Sequence, residues 1–310
     1  MSICFIKAGV QTTLQGPPRA GHRHHGVPSS GPADPLSMSL ANKLVGKPAT
    51  ATAIEITLTG CKLVFSETMA FALTGAETEA KLNHFTCPTH TTLIAEAGDE
   101  LDIAPSVAGC RVYLALSGTL DADEFLGSAS TYLPAGFGGY SGRQLKDGDD
   151  LKVRHISFPE ELETPRELRP FFNNRFSLQV VDGPDRDLVM NMDDVFDDIL
   201  KVTQRASRMG VQLKGRKVSV SGSDQLKSAA VFSGTIQCPP DGMPYVLLAD
   251  AQTTGGYPHI LQVIRSDRFQ LGQLRPGDEV RFVKRSLDYA NAAYRERLAI
   301  YSDWLESPMI

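Results

Sequence analysis

Apolar and polar positions alternate in short runs over most of the chain, the mark of strands that each bury one face. Between residues 53 and 153 such runs fall at 53–58, 62–65, 69–73, 91–95, 100–103, 111–116 and 151–153. Their spacing of about 8–12 residues, with turn residues between, predicts a sandwich or barrel. A first run, 3–10, is broken by Gly9, and runs at 176–181, 245–249 and 260–264 predict strands in the second half. The period changes to three and four at Leu36, Leu40 and Leu44, which predicts a helix capped by Asp34, begun by Pro35 and stopped by Gly46. Residues 191–201 predict a second short helix. From Ser286 onward Leu287, Ala290, Tyr294, Leu298, Tyr301 and Leu305 form one stripe, with Asp288, Arg295 and Glu296 opposite. That stripe predicts an amphipathic helix covering the chain's own core.

Three prolines and a run of charges mark residues 157–175 as a linker between a domain at 1–156 and a second at 176–310, which ends in the C-terminal helix. A Gly-Asp turn followed by an alternating strand recurs at Gly98, Gly148 and Gly277. The expected fold is mainly β: two tandem β-barrel domains with a few short helices.

Composition narrows the function classes. The chain has 310 residues and a formal net charge of −5, with both signs interleaved. No Lys/Arg stripe points to nucleic acid. No apolar run approaches the ~20 residues of a membrane span. The N-terminal stretch lacks the charged-then-apolar order of a signal peptide. The five cysteines are odd in number and form no CxxC pair, which predicts free thiols and no structural zinc. The expected location is the cytoplasm.

Candidate chemistry concentrates in loops. Residues 16–35 hold five prolines and four glycines, with His22, His24 and His25 expected to be solvated or anion-facing rather than metal-bound, and with Arg19 and Arg23 suited to a phosphate or carboxylate. Residues 117–143 are glycine-rich but match neither a Walker loop nor a GxGxxG turn. There the amides of Gly138 and Gly139, with Arg143, could cradle an anion. Residues 250–258 lie between two apolar runs and offer Asp250, Gln252, Thr253, Thr254, Gly255, Gly256 and Tyr257, the two glycines being expected at positive φ. Gln252-Thr253-Thr254 echoes Gln11-Thr12-Thr13. Glu55, between Ile54 and Ile56, points to the opposite face from both and is either solvated or lines a pocket.

Six stretches in fixed order carry a family resemblance. They are Gly9-Val-Gln-Thr-Thr-Leu-Gln15, Gly26-Val-Pro-Ser-Ser-Gly-Pro-Ala-Asp-Pro35, Ala53-Ile-Glu-Ile-Thr57, Ser130-Thr-Tyr-Leu-Pro-Ala-Gly-Phe-Gly-Gly139, Gly234-Thr-Ile-Gln-Cys-Pro-Pro-Asp-Gly242 and Asp250-Ala-Gln-Thr-Thr-Gly-Gly-Tyr-Pro258. Together they resemble the allophanate hydrolase subunit 2 family, which is biotin-dependent carboxyltransferase-like. The resemblance implies two tandem cyclophilin-like barrels. It implies the C subunit of an ATP-dependent 5-oxoprolinase, hydrolysing 5-oxo-L-proline to L-glutamate with an A subunit and a KipI-like B subunit of the allophanate hydrolase subunit 1 type. Two alternatives stay open: a carboxyltransferase-type subunit moving CO2 from carboxybiotin to urea or a related amide, and a KipA-like binding protein that antagonises a KipI-like kinase inhibitor. The cofactors implied are ATP and Mg2+, bound in the complex, with no covalent biotin on this chain. For a small amide substrate, Asp250 and Glu55 are expected as base or Mg2+ ligand. Gln11, Thr12, Gln15, Arg19, Gln237, Gln252, Thr253, Thr254, Gly255, Gly256 and Tyr257 are expected to bind it, and Arg143, Gly138 and Gly139 to hold its anionic groups. One departure stands out: the family pattern Gln-Asp-x-Gly-Arg reads Gln15-Gly-Pro-Pro-Arg19 here, without the carboxylate.

Overall fold

The structure, a computed structural model, describes residues 1–222 and 226–309. The expected mainly β fold is found, and the chain divides into two compact units. The first comprises residues 1–19, 30–172 and 300–309; the second, residues 20–29 and 173–299.

In the first unit β1 (Ser2–Lys7), β4 (Cys61–Phe65), β6 (Ala80–Leu82), β7 (Phe85–Cys87), β9 (Glu100–Ile103), β11 (Thr119–Leu120) and β12 (Asp150–Arg154) form one sheet in the order β11-β12-β1-β4-β9-β6-β7. A second sheet runs β2-β3-β10-β5-β8, from β2 (Gln11–Gln15), β3 (Ala53–Thr57), β5 (Met69–Glu77), β8 (Leu93–Ala95) and β10 (Ala108–Leu116). Their facing side chains make one core: Ile3, Phe5, Leu63, Phe65 and Leu151 from the first sheet meet Leu14, Ile54, Ile56, Phe71, Val112 and Leu114 from the second. The second sheet is buried on its other face too, against α1 (Pro35–Leu44). Ala53, Ala72 and Ala115 lie on that helix side. Their small side chains let the helix close on the sheet. This explains why β3, β5 and β10 are buried nearly without interruption. The helix begins as expected: the Asp34 carboxylate accepts from the Ser37 amide at 3.0 Å, Pro35 follows, and Gly46 turns at φ 68° beyond its end.

The second unit is a closed barrel, β13-β20-β17-β18-β15-β14-β21. Its strands are β13 (Arg175–Asp182), β14 (Leu200–Ala206), β15 (Gly210–Lys214), β17 (Thr235–Gln237), β18 (Tyr245–Leu247), β20 (His259–Val263) and β21 (Glu279–Lys284). A short pair, β16 (Ala229–Ala230) with β19 (Thr254–Gly255), lies beside it in the chain's loops. The barrel closes where β13 and β21 pair in parallel, from Arg175↔Glu279 to Val180↔Lys284.

Four expectations are corrected. The helix predicted at 191–201 stops early: α2 is Met192–Asp197, and Leu200 and Val202 then bury alternate side chains in β14. The C-terminal helix forms as α3 (Leu287–Ser302), but its stripe is buried only at the far end, at Tyr301 and at Leu305 beyond it, and half-buried at Ala290, Tyr294 and Leu298. Leu287 is 69% exposed and only Tyr301 is buried within the helix, while Arg265 stacks on Tyr294 at 4.1 Å. Residues 157–172, expected in the linker, group with the first unit, where Thr92 and Thr164 donate their amides to the Leu162 and His90 carbonyls at 2.9 Å. Residues 20–29 and 300–309 likewise leave the domains expected for them. Arg23 donates to the Val231 carbonyl and stacks on Phe232, and the Tyr301 hydroxyl donates to the Leu168 carbonyl at 3.1 Å. All five cysteines are free, and all but Cys4 are buried.

His90 connects the first unit to pH. It holds φ 61°, is 6% exposed, and its Nδ1 has no hydrogen-bond partner among the described residues. Burial, with the nearby Arg169 charge, pushes its pKa down to about 4 from 6.5. The unfolded chain therefore takes the proton first. Stability carried by neutral His90 is intact above pH 6.5 and is lost as pH falls toward about 4. At about 1.4 kcal/mol per pKa unit the full loss is about 3 kcal/mol. His90→Asn, a residue that tolerates positive φ, is expected to flatten this part of a stability-versus-pH profile measured by urea unfolding.

Candidate functional site

In the first unit the predicted residues gather along the edge strand β2. Its outer backbone is capped by the glycine-rich segment: the Thr131 amide and hydroxyl both donate to the Leu14 carbonyl, at 3.0 and 2.9 Å, and the Leu145 amide donates to the Thr12 carbonyl at 2.8 Å. Gln15, fully buried, donates to the Thr13 hydroxyl at 3.0 Å. The turn after it is laced to residues 128–130. The Ser130 hydroxyl donates to the Gly16 carbonyl at 2.8 Å, and the Ser128 hydroxyl donates to the Pro17 carbonyl at 2.6 Å. Arg19, 2% exposed, donates to the Phe125 and Ser130 carbonyls and lies over the Phe137 ring at 4.7 Å. Gly138 and Gly139 are required by this closeness. A Cβ on Gly139 would sit 1.9 Å from the Thr131 hydroxyl oxygen, and one on Gly138 would sit 2.3 Å from the Ser130 carbonyl. Thr12 turns its hydroxyl onto the Ala8 carbonyl, and Gln11 is half-buried at the strand's start.

Glu55 is not solvated. It is 1% exposed and faces α1, opposite Tyr113 in register. Its Oε2 accepts from the Ala33 amide at 2.9 Å and from the Tyr113 hydroxyl at 2.7 Å, and its Oε1 lies 3.3 Å from Arg111 Nε. The Tyr113 oxygen also accepts from the Asp34 amide at 2.7 Å. Burial and the Glu55 charge hold that phenol well above its usual pKa. Together these groups fix the entry to α1.

Part of the expected anion cradle is engaged from within, at Gly139 and Arg143. The Gly139 amide donates to the Asp123 carbonyl at 3.0 Å, and the Gly142 amide to the Gly138 carbonyl at 2.9 Å. Arg143 grips Asp149 with two donors, at 2.6 and 2.8 Å. Their mutual hydrogen bond raises the arginine pKa and lowers that of the carboxyl. Asp149 belongs to a recurring Gly-Asp turn, where it also accepts from the Lys146 amide.

In the second unit residues 250–258 rest on two buried side chains. Asp250, 2% exposed, is held by Arg208, 3% exposed, through Nε–Oδ2 at 2.8 Å and Nη2–Oδ1 at 3.1 Å, and its amide donates back to the Arg208 carbonyl. Gln237, 2% exposed, donates to the Tyr257 carbonyl at 3.0 Å and accepts from Gln252 at 3.3 Å. Neither Gly255 nor Gly256 adopts positive φ, contrary to expectation. Gly255 is needed for closeness instead, because a Cβ there would lie 2.5 Å from Gln237 Nε2. Thr253 accepts the Val231 amide at its carbonyl, Thr254 pairs with Ala230, and Tyr257 is 52% exposed. A cavity of about 290 Å³ opens beside this loop between Val218, Val220, Cys238, Pro239, Pro240, Gly256, Tyr257 and Pro258.

The loops identified by their polar residues are thus the ordered polar regions of each unit. Asp250 and Glu55, however, are not open carboxylates: each is buried against an arginine. Among the described residues no group of three or more His, Cys, Asp or Glu side chains is placed to hold a metal ion. Sequence reading missed the partners Arg111, Tyr113, Asp149 and Arg208.

Residues 25–284 match the family model of the carboxyltransferase domain, subdomain A and B, and the chain belongs to that family. It is 36% identical over 298 residues to the C subunit of 5-oxoprolinase from Escherichia coli (strain K12), covering 94% of both chains. It is 33% identical to urea amidolyase of Lachancea kluyveri over 91% of its own length but 17% of that protein's. The solved urea amidolyase of K. lactis superposes with a TM-score of 0.92 at 30% identity, covering 100% of this chain and 20% of that one.

Removing one partner of a buried ion pair leaves the other uncompensated, at about 3–5 kcal/mol. Asp250→Ala is therefore expected to lower the thermal midpoint strongly. An unchanged midpoint in calorimetry, with activity lost, would assign Asp250 to chemistry instead.

Proposed function

We propose that the chain is the C subunit of a 5-oxoprolinase and opens 5-oxo-L-proline to L-glutamate together with partner subunits. The observation that carries this reading is the end-to-end match with the Escherichia coli C subunit, 94% of each chain. The reaction adds water across a lactam: a C–O bond forms, the C–N bond breaks, and the nitrogen leaves as an amine that takes a proton. Amide resonance opposes this, so activation of the carbonyl oxygen by ATP, with Mg2+, belongs to the reading. We assign that step to the partners, an A subunit and a KipI-like B subunit. In support, the Gly139 amide and Arg143 are engaged within this chain.

What this chain contributes is a polar surface for a small amide. Tyr257, Thr253, Thr254 and Gln252 present it, while Gln237 and the Arg208–Asp250 pair hold it rigid. Gln15, Arg19 and Glu55 act as positioning residues in their own unit. The same reading places the protein in the cytoplasm as part of a hetero-oligomer. A second reading, carboxyl transfer from carboxybiotin to urea or a related amide, is favoured by the whole-chain superposition on urea amidolyase, TM-score 0.92.

Purified chain mixed with both partner proteins, ATP and 5-oxo-L-proline is expected to release glutamate, and omission of any one component is expected to abolish release. No glutamate from the full set, with urea carboxylated when a carboxybiotin carrier is supplied, would transfer the assignment to the second reading.

A further inference from the structure

Beside the end of α1 the first unit holds a cleft of about 580 Å³ that no part of the proposed reaction uses. Its size lies within the range of small-molecule sites. Lys43, in the last turn of α1, and Lys47 contribute two ammonium groups. Glu160 and Glu306 contribute two carboxylates from separate segments. Among the described residues none of these four forms an ion pair. Lys47 reaches the Thr119 hydroxyl at 3.4 Å, and partial burial lowers its pKa. Pro48, Pro159, Leu162 and Leu305 supply an apolar lining between the charges.

Charges of both signs placed around one cleft without pairing complement a molecule that carries the opposite set. Two ammonium groups call for two carboxylates, two carboxylates call for one ammonium between them, and the apolar lining suits a short methylene chain. We propose that this cleft binds a dicarboxylic α-amino acid, its carboxylates on Lys43 and Lys47 and its ammonium between Glu160 and Glu306. L-Glutamate is the simplest member of the class with more than one methylene. The inference uses no residue assigned to the proposed reaction and is tested without turnover, so either can fail alone.

The chain's single tryptophan, Trp304, packs against the core cluster that includes Met38, Ala41 and Leu44 of α1, and it immediately precedes the lining residues Leu305 and Glu306. Its fluorescence is therefore the readout. Titration of the full chain with L-glutamate is expected to give a saturable change with Kd near about 1 mM. Glutarate, which lacks the ammonium, and L-alanine, which lacks the second carboxylate, are expected to bind at least about tenfold more weakly. Lys43→Met and Glu160→Gln should each raise Kd by about tenfold or more while leaving the thermal midpoint at the wild-type value. No saturable signal in fluorescence or calorimetry, glutarate binding as tightly as glutamate, or variants with unchanged Kd would each overturn the proposal.

Discussion

A carboxylate taken out of water must be met by a cation and by hydrogen bonds, or it destabilises whatever buries it. This constraint organises both units. Glu55 sits on the helix side of a sheet lined there by Ala53, Ala72 and Ala115, and it is matched by Arg111, the Tyr113 hydroxyl and the Ala33 amide. Through that amide and that phenol it sets where the long proline-rich loop ends and α1 begins. In the barrel the same demand draws Arg208 onto Asp250, and the loop that follows inherits its starting direction from the pair. Arg208 meets both oxygens of that acid from one planar fork, so Asp250 is fixed in orientation as well as in charge.

Internal partners also account for the glycine-rich loop of the first unit. Seen as a sequence, Gly138 and Gly139 with Arg143 read as a place for an external anion. In the fold Gly138, Gly139 and Gly142 are points where two stretches of chain come too close for a Cβ, and the amides of Gly136, Gly139 and Gly142 serve neighbouring carbonyls.

Much of the fold was legible because period and punctuation agree. Asp34-Pro35 followed by leucines at intervals of four specifies a helix start that local chemistry alone enforces. Strands such as β4 and β9, buried on one face, alternate cleanly. The strands that escaped include β6, β7, β11, β16, β17 and β19, of two or three residues and too short to show a period, but also the longer β2, β14 and β15. In the site, the polar loops were legible because carboxamides, threonines and glycines cluster there, but their anchors were not. Arg208 lies 42 residues before Asp250, and Arg111 lies 56 residues after Glu55, so each pair exists only once the sheets have formed. The three-and-four stripe near the C-terminus was read correctly as helix and wrongly as core, because a stripe records which side chains share a face and not what covers them.

The parallel seam between β13 and β21 carries a further consequence. The first strand of the second unit finds its last neighbour only in the final strand of that barrel. During synthesis the whole of β13 therefore waits with one bare edge while the intervening strands emerge. Truncation before Lys284 leaves that edge open for good, and an open edge recruits strands from other molecules. Shortened products of this chain are thus expected to aggregate rather than persist as half-sized soluble barrels.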